Sequence, residues 1–132
     1  MQFQEQTHEG SLPITACENG AIEINGQRHS QPLCLCGNSL FDIPETAPAD
    51  LNIDSFGLNP AVNPRLESAL AQGRPEVILV GTGAKQIFLH PKITAALAAQ
   101  GIGLESMSTQ AACRTYMILS SEGRRVWAWL WP

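Results

Sequence analysis

The sequence predicts a layered α/β fold, and three observations carry that prediction. Residues 76–80 (EVILV) form a continuous β-branched and aliphatic run, as in a strand buried on both faces. Two helical segments follow it, each with a marked start and a glycine stop, and each leads into another strand-like run. Strand, helix, strand, helix, strand with short links is the order of strands that share one sheet under packed helices.

The elements read as follows. Ala21, Ile22, Glu23 and Ile24 alternate at period two, and Asn25-Gly26 then supplies the positive φ values of a tight hairpin turn. The return strand starts at Gln27. Residues 32–35 are a second apolar stretch, closed by Gly37-Asn38, with Pro32 placing its start at an edge or bend. Residues 40–43 read as another strand, ended by Pro44, and residues 45–50 as turn material. Residues 51–56 alternate again and predict a short strand. Asn63-Pro64 then opens a helix, with Asn as cap and Pro at the first helical position, running to Gln72 and stopping at Gly73. The second helix spans 91–100, rich in alanine and followed by Gly101. A strand at 102–107 precedes a helix capped by Ser108-Thr109 and running to Leu119. Gly123 breaks the chain before a last strand at 125–131.

Composition narrows the function classes. At 132 residues with 44% hydrophobic and 15% charged, the chain suits one domain over residues 1–132 and not a disordered segment. The net charge is −4, unevenly spread: residues 1–64 hold eight acids and one base, residues 65–132 four acids and seven bases. An acidic domain is a poor binder of phosphate backbones, so no nucleic acid is expected, and any anion site belongs in the basic half. No apolar run reaches the roughly 18 residues of a membrane span, so the protein is not expected to be membrane-embedded. Residues 1–10 show neither the charged start nor the apolar stretch of a signal peptide, which makes a cytoplasmic address the default. Cys17, Cys34, Cys36 and Cys113 lack zinc spacing, and His8, His29 and His90 are scattered, so no metal and no cofactor are expected.

Three segments carry candidate chemistry. Gly81-Thr82-Gly83 ends the buried strand, where sheet ligands sit; the missing Cβ atoms admit either a ligand or simply a tight turn. No third glycine completes a dinucleotide fingerprint and no GK[ST] follows. The helix start at Ser108-Thr109 offers free N–H groups to an anion, and Gln110 and Arg114, four apart, share a face. Arg114 either clamps an anion or forms an ion pair within the fold. Cys113, near that helix start and beside Arg114, is either a reactive thiol or an inert core residue; its apolar neighbours Ala112 and Met117 predict burial without a disulfide. The third segment is the last strand, where Trp127, Trp129 and Trp131 share one face and Val126, Ala128 and Leu130 the other. The indoles either pack under helices or form a docking patch. If the strands at 76–80 and 102–107 are parallel, Gly81, Thr82 and Gly83 lie beside the Thr109 helix start.

The run from Pro75 to Gly83, together with Gly101-Ile102, Glu105, Met107, Thr109, Ala111-Ala112, Arg114-Thr115-Tyr116, Leu119 and Glu122-Gly123-Arg124, resembles the Mth-type domain of unknown function. The Asn25-Gly26 hairpin is similar to its N-terminal part. The resemblance implies a three-layer α/β fold with a mixed central sheet and an accessory N-terminal β-hairpin element. It implies no established enzymatic activity, and a link to assembly of a membrane complex, since the family includes a mitochondrial assembly factor. Its Gly-Thr-Gly and Thr…Arg segments fall on Gly81, Thr82, Gly83, Thr109 and Arg114. With no nucleophile–base pair in view, the leading expectation is a non-catalytic cytoplasmic module that binds a protein partner. The alternative is a small-molecule, anion-binding protein or enzyme using Gly81, Thr82, Gly83, Thr109, Gln110 and Arg114.

Overall fold

The computed structural model describes residues 12–18 and 20–132, so residues 1–10, read above for targeting signals, and His8 lie outside the described residues. Among the described residues, eight strands form two sheets. The smaller contains β1 (Ile14–Glu18), β2 (Ala21–Ile24) and β3 (Gln27–His29), antiparallel in chain order. The Asn25-Gly26 turn falls where its chemistry requires, with φ of 51° and 84°. The expected hairpin therefore carries an additional strand. β1 was not read from the sequence: ITACE lacks alternation, and its register slips between Ile14 and Ala16.

The larger sheet has β4 (Leu33–Cys36), β5 (Ser39–Asp42), β6 (Val77–Gly81), β7 (Gly103–Met107) and β8 (Val126–Leu130), in the order β5-β4-β8-β6-β7. β6 pairs parallel with both β7 and β8, while β4 runs antiparallel to β8 and β5. The central sheet is thus mixed, and the three C-terminal strands share it. β4 takes an interior position, because Pro32 stands ahead of the strand and costs it no ladder bond.

Two expected elements differ. Residues 51–56 form no strand; Ile53–Phe56 is a 3₁₀ turn. Asn52 Oδ1 accepts from the Asp54 N–H at 2.9 Å and Ser55 Oγ from the Asn52 N–H at 2.9 Å, so local side-chain bonds outweigh the alternation. The helix opened by Asn63-Pro64 begins as a 3₁₀ turn, Pro64–Leu66, and continues as the short α1 (Glu67–Ala71). α2 (Pro91–Ala98) and α3 (Thr109–Ser121) fall where expected, and Ser108 Oγ accepts from the Ala111 N–H at the α3 start.

The sheet separates two cores. Trp127, Trp129 and Trp131 face Phe56, Leu66 and Leu97 on the side of α1, α2 and the 3₁₀ turns. Val126, Ala128 and Leu130 face Ala112, Cys113 and Tyr116 of α3, and Ile22 and Ile24 of the small sheet join them. Every residue of β8 is buried, so the indole face is core and not a docking patch. These are the three layers.

Candidate functional site

The site grows from the C-terminal end of β6. Parallel pairing puts the ends of β6 and β7 at one edge of the sheet, and α3 starts there. Gly81 lets the helix close in. A Cβ on it would stand 3.0 Å from Thr109 Cα and 3.0 Å from Leu130 Cδ2.

Thr109 then welds three segments. Its N–H donates to Gly83 O at 2.8 Å, and its hydroxyl donates to Trp131 O at 2.6 Å while accepting the Gly83 N–H at 2.7 Å. The Trp131 N–H returns to Gly81 O at 3.0 Å. Thr82 is spent in the same way. Its N–H donates to Met107 O at 2.8 Å, and its hydroxyl donates to Lys85 O and accepts the Ile87 N–H at 3.1 Å. The N–H groups of Thr82, Gly83, Thr109 and Ala111 therefore already have acceptors inside the protein.

Above this weld lies an open cleft of about 330 Å³, lined by Cys17, Glu18, Gly83, Ser108, Thr109 and Gln110 among others. The structure brings Gly83, Thr109 and Gln110 together on it, with Gly81 and Thr82 buried beneath. Arg114 lines a neighbouring groove of about 500 Å³ with Ile14, Cys17, Gln110, Cys113 and Met117. Its side chain is exposed, and among the described residues no carboxylate stands within ion-pair distance of it. Gln110 is shared by both depressions.

Cys113 is 3% exposed and a free thiol. Burial raises its pKa first, and a hydrogen bond with the Cys17 thiol raises it further; Arg114 pulls the other way and loses. Cys34 and Cys36 are free and fully buried on the indole face. Cys36 is likewise held protonated by burial and by the Cys34 thiol. Among the described residues no group of three His, Cys, Asp or Glu side chains is gathered as metal ligands would be.

Sequence reasoning missed Cys17 and Glu18. Both stand on β1, whose pairing is nonlocal to α3, and nothing in ITACE marks a partner 96 positions away.

The model of a family described as protein of unknown function (DUF498/DUF598) matches residues 14–131. An uncharacterised protein of Rhodobacter capsulatus is 43% identical over 132 residues, covering 100% of this chain and 94% of that one. The human NADH dehydrogenase (ubiquinone) 1 alpha subcomplex assembly factor 3 is 32% identical over 122 residues, 92% of this chain; the chain spans 61% of that protein's length. The solution structure of a Bordetella pertussis protein described as a Mth938-like domain superposes with a TM-score of 0.71 at 31% identity, covering 98% of this chain and 91% of that one. A Bartonella henselae structure described as an outer membrane protein gives a TM-score of 0.71 at 29% identity, covering 93% of this chain and 97% of that one. The Mth-type resemblance therefore holds over nearly the whole described chain.

Proposed function

We propose, from the premise that this chain belongs to the DUF498/DUF598 family of proteins of unknown function, that it is a non-catalytic module binding a protein partner during assembly of a membrane complex. The observation that carries this reading is the similarity to the mitochondrial assembly factor over 92% of the chain. The site supports it as well. The Thr109 weld spends its polar groups on joining β6, β8 and α3, which is work for a scaffold. No helix among the described residues is long and apolar enough to cross a membrane.

The surface with the chemistry of a protein contact is the loop between β6 and α2. Phe88 there is 80% exposed and Ile87 stands beside it. Gln86 Nε2 donates to Ser106 O at 2.9 Å, holding the loop along β7, an edge of the larger sheet. An exposed aromatic on a tethered loop is the kind of anchor that protein interfaces bury. The test is deletion of the gene in its host, followed by native electrophoresis of detergent-solubilised membranes. Loss of intact NADH dehydrogenase, restored by the parent chain and not by a folded Phe88→Ser variant, is the expected result. An unchanged complex overturns the proposal.

The second reading, binding of a small anion, rests on the open cleft of about 330 Å³, a size within the range of ligand sites, and on Gln110, which lines both that cleft and the groove that holds Arg114. Thermal melting with and without phosphate tests it: a ligand binding only the folded chain raises the melting temperature with concentration. A phosphate-independent melt in the parent protein removes this reading.

A further inference from the structure

β1 crosses α3 with a consistent register. The Tyr116 hydroxyl donates to Leu12 O at 3.1 Å, and the Ile14 N–H donates to Met117 Sδ at 3.2 Å. Three residues further along the strand and one turn back along the helix, Cys17 packs against the core cluster that holds Cys113, and the two thiols line one groove. Cys17 also reaches the cleft beside Gly83. The two thiols differ in access. Cys17 is half-buried, and Cys113 lies under it in the core. The other pair, Cys34 and Cys36, has neither quality: both are sealed at 0% exposure, two apart on one strand.

We propose that Cys17 and Cys113 form a reversible disulfide, with Cys17 as the thiol that a low-molecular-weight disulfide reaches from the groove and Cys113 as the thiol that closes the bond. In the first step the Cys17 sulfur attacks one sulfur of the reagent. The reagent S–S bond breaks, a mixed disulfide forms on Cys17, and one small thiol leaves with the proton. In the second step the Cys113 sulfur attacks the Cys17 sulfur, expelling the second small thiol, which takes the Cys113 proton. The two protein thiols are oxidised and one reagent disulfide is reduced to two thiols. Burial keeps Cys113 protonated, so the second step is the slow one and quickens as pH rises. Closure ties the small sheet to α3 at the mouth of the cleft, and it cross-links positions 17 and 113, a long loop of the kind whose closure constrains the unfolded chain most.

The test treats the folded full chain with oxidised glutathione and maps its thiols by mass spectrometry without reduction. The parent protein should yield a peptide pair joined through Cys17 and Cys113 and release two glutathione thiols per chain, faster at higher pH. Dithiothreitol should reverse the link, and the oxidised form should melt at a higher temperature than the reduced form. Cys113→Ala keeps the packing of a small apolar residue and should trap glutathione on Cys17; Cys17→Ser should leave Cys113 unmodified. A parent protein that stops at a stable adduct on Cys17, stays fully reduced, or links through Cys34 or Cys36 instead overturns the proposal.

Discussion

The two faces of β8 are built from opposite materials. One carries three indoles against an irregular layer of 3₁₀ turns and the short helices α1 and α2. The other carries Val126, Ala128 and Leu130 against α3, a regular helix of 13 residues, joined by Ile22 and Ile24 of the small sheet. Large side chains fill the first face, where Phe56 meets Trp129 edge-on at 4.9 Å. Small residues on the second face, with Gly81 at its end, let α3 close onto the sheet. The candidate site residues and the Cys17–Cys113 pair gather on the α3 side and at its adjoining edge. Volume on one face supplies stability; its absence on the other creates the joint where backbone, helix start and cleft converge.

The largest expected effect comes from emptying the indole face. Trp129→Ala removes a fully buried ring that packs on Phe56 and Trp127, and should cost about 3–5 kcal/mol of unfolding free energy. A denaturant titration measures it. A loss under about 1 kcal/mol would mean that this face is not the main support, and the contrast would collapse.

Next come changes at the α3 joint. Gly81→Ala places a methyl 3.0 Å from Thr109 Cα, which is backbone and cannot swing aside. A cost of about 1–3 kcal/mol is expected, with the amide resonances of Gly83 and Thr109 shifting. Thr109→Val keeps the shape and strips the hydroxyl from between the Gly83 N–H and Trp131 O. That leaves a donor and an acceptor unpaired, again about 1–3 kcal/mol. Both variants strike one joint, so the double variant should cost less than the sum. Strict additivity in thermal melts would show that the glycine and the hydroxyl act separately.

The same contrast explains what was legible in the sequence. The alternation in 126–131 assigned each residue to its face, because a strand's period is two whatever surrounds it. The Gly81 and Thr109 juxtaposition followed from a capped helix, a local signal, on the condition that the strands at 76–80 and 102–107 pair in parallel, as they do. Residues 51–56 misled because Asn52 and Ser55 prefer their own backbone to a ladder, and alternation does not record that competition. Cys17 was invisible as a neighbour of Cys113, since only the docking of β1 on α3 joins them. Within the site, Gly83, Thr109 and Gln110 share the cleft while Arg114 sits one helical turn away, on the next groove.

That position of Arg114 sets a smaller expectation. Its side chain is exposed and, among the described residues, has no carboxylate partner, so Arg114→Ala should change stability by no more than about 0.5 kcal/mol in a denaturant titration. A loss of several kcal/mol would show an ionic role on the α3 face that the geometry does not display.

The smallest effect lies at the opposite end of β6, away from both faces. Glu76 accepts the Arg125 N–H at 3.4 Å and Arg124 Nε at 3.3 Å, bridging the starts of β6 and β8. The Arg125 backbone bond first, then the Arg124 side chain, lower its pKa below the ordinary 4.5, against a weaker opposing pull from burial. A carboxylate lowered on folding stabilises the folded chain above its unfolded pKa. That contribution fades as pH falls through the lower, folded value. The parent should therefore melt slightly above Glu76→Gln at neutral pH, and the gap should close as pH drops below the ordinary carboxylate range. Added salt should narrow the gap at neutral pH, because the three side chains are exposed to solvent. A gap that instead widened on acidification would mean that the protonated carboxyl, not the ion pair, joins the two strands at this end.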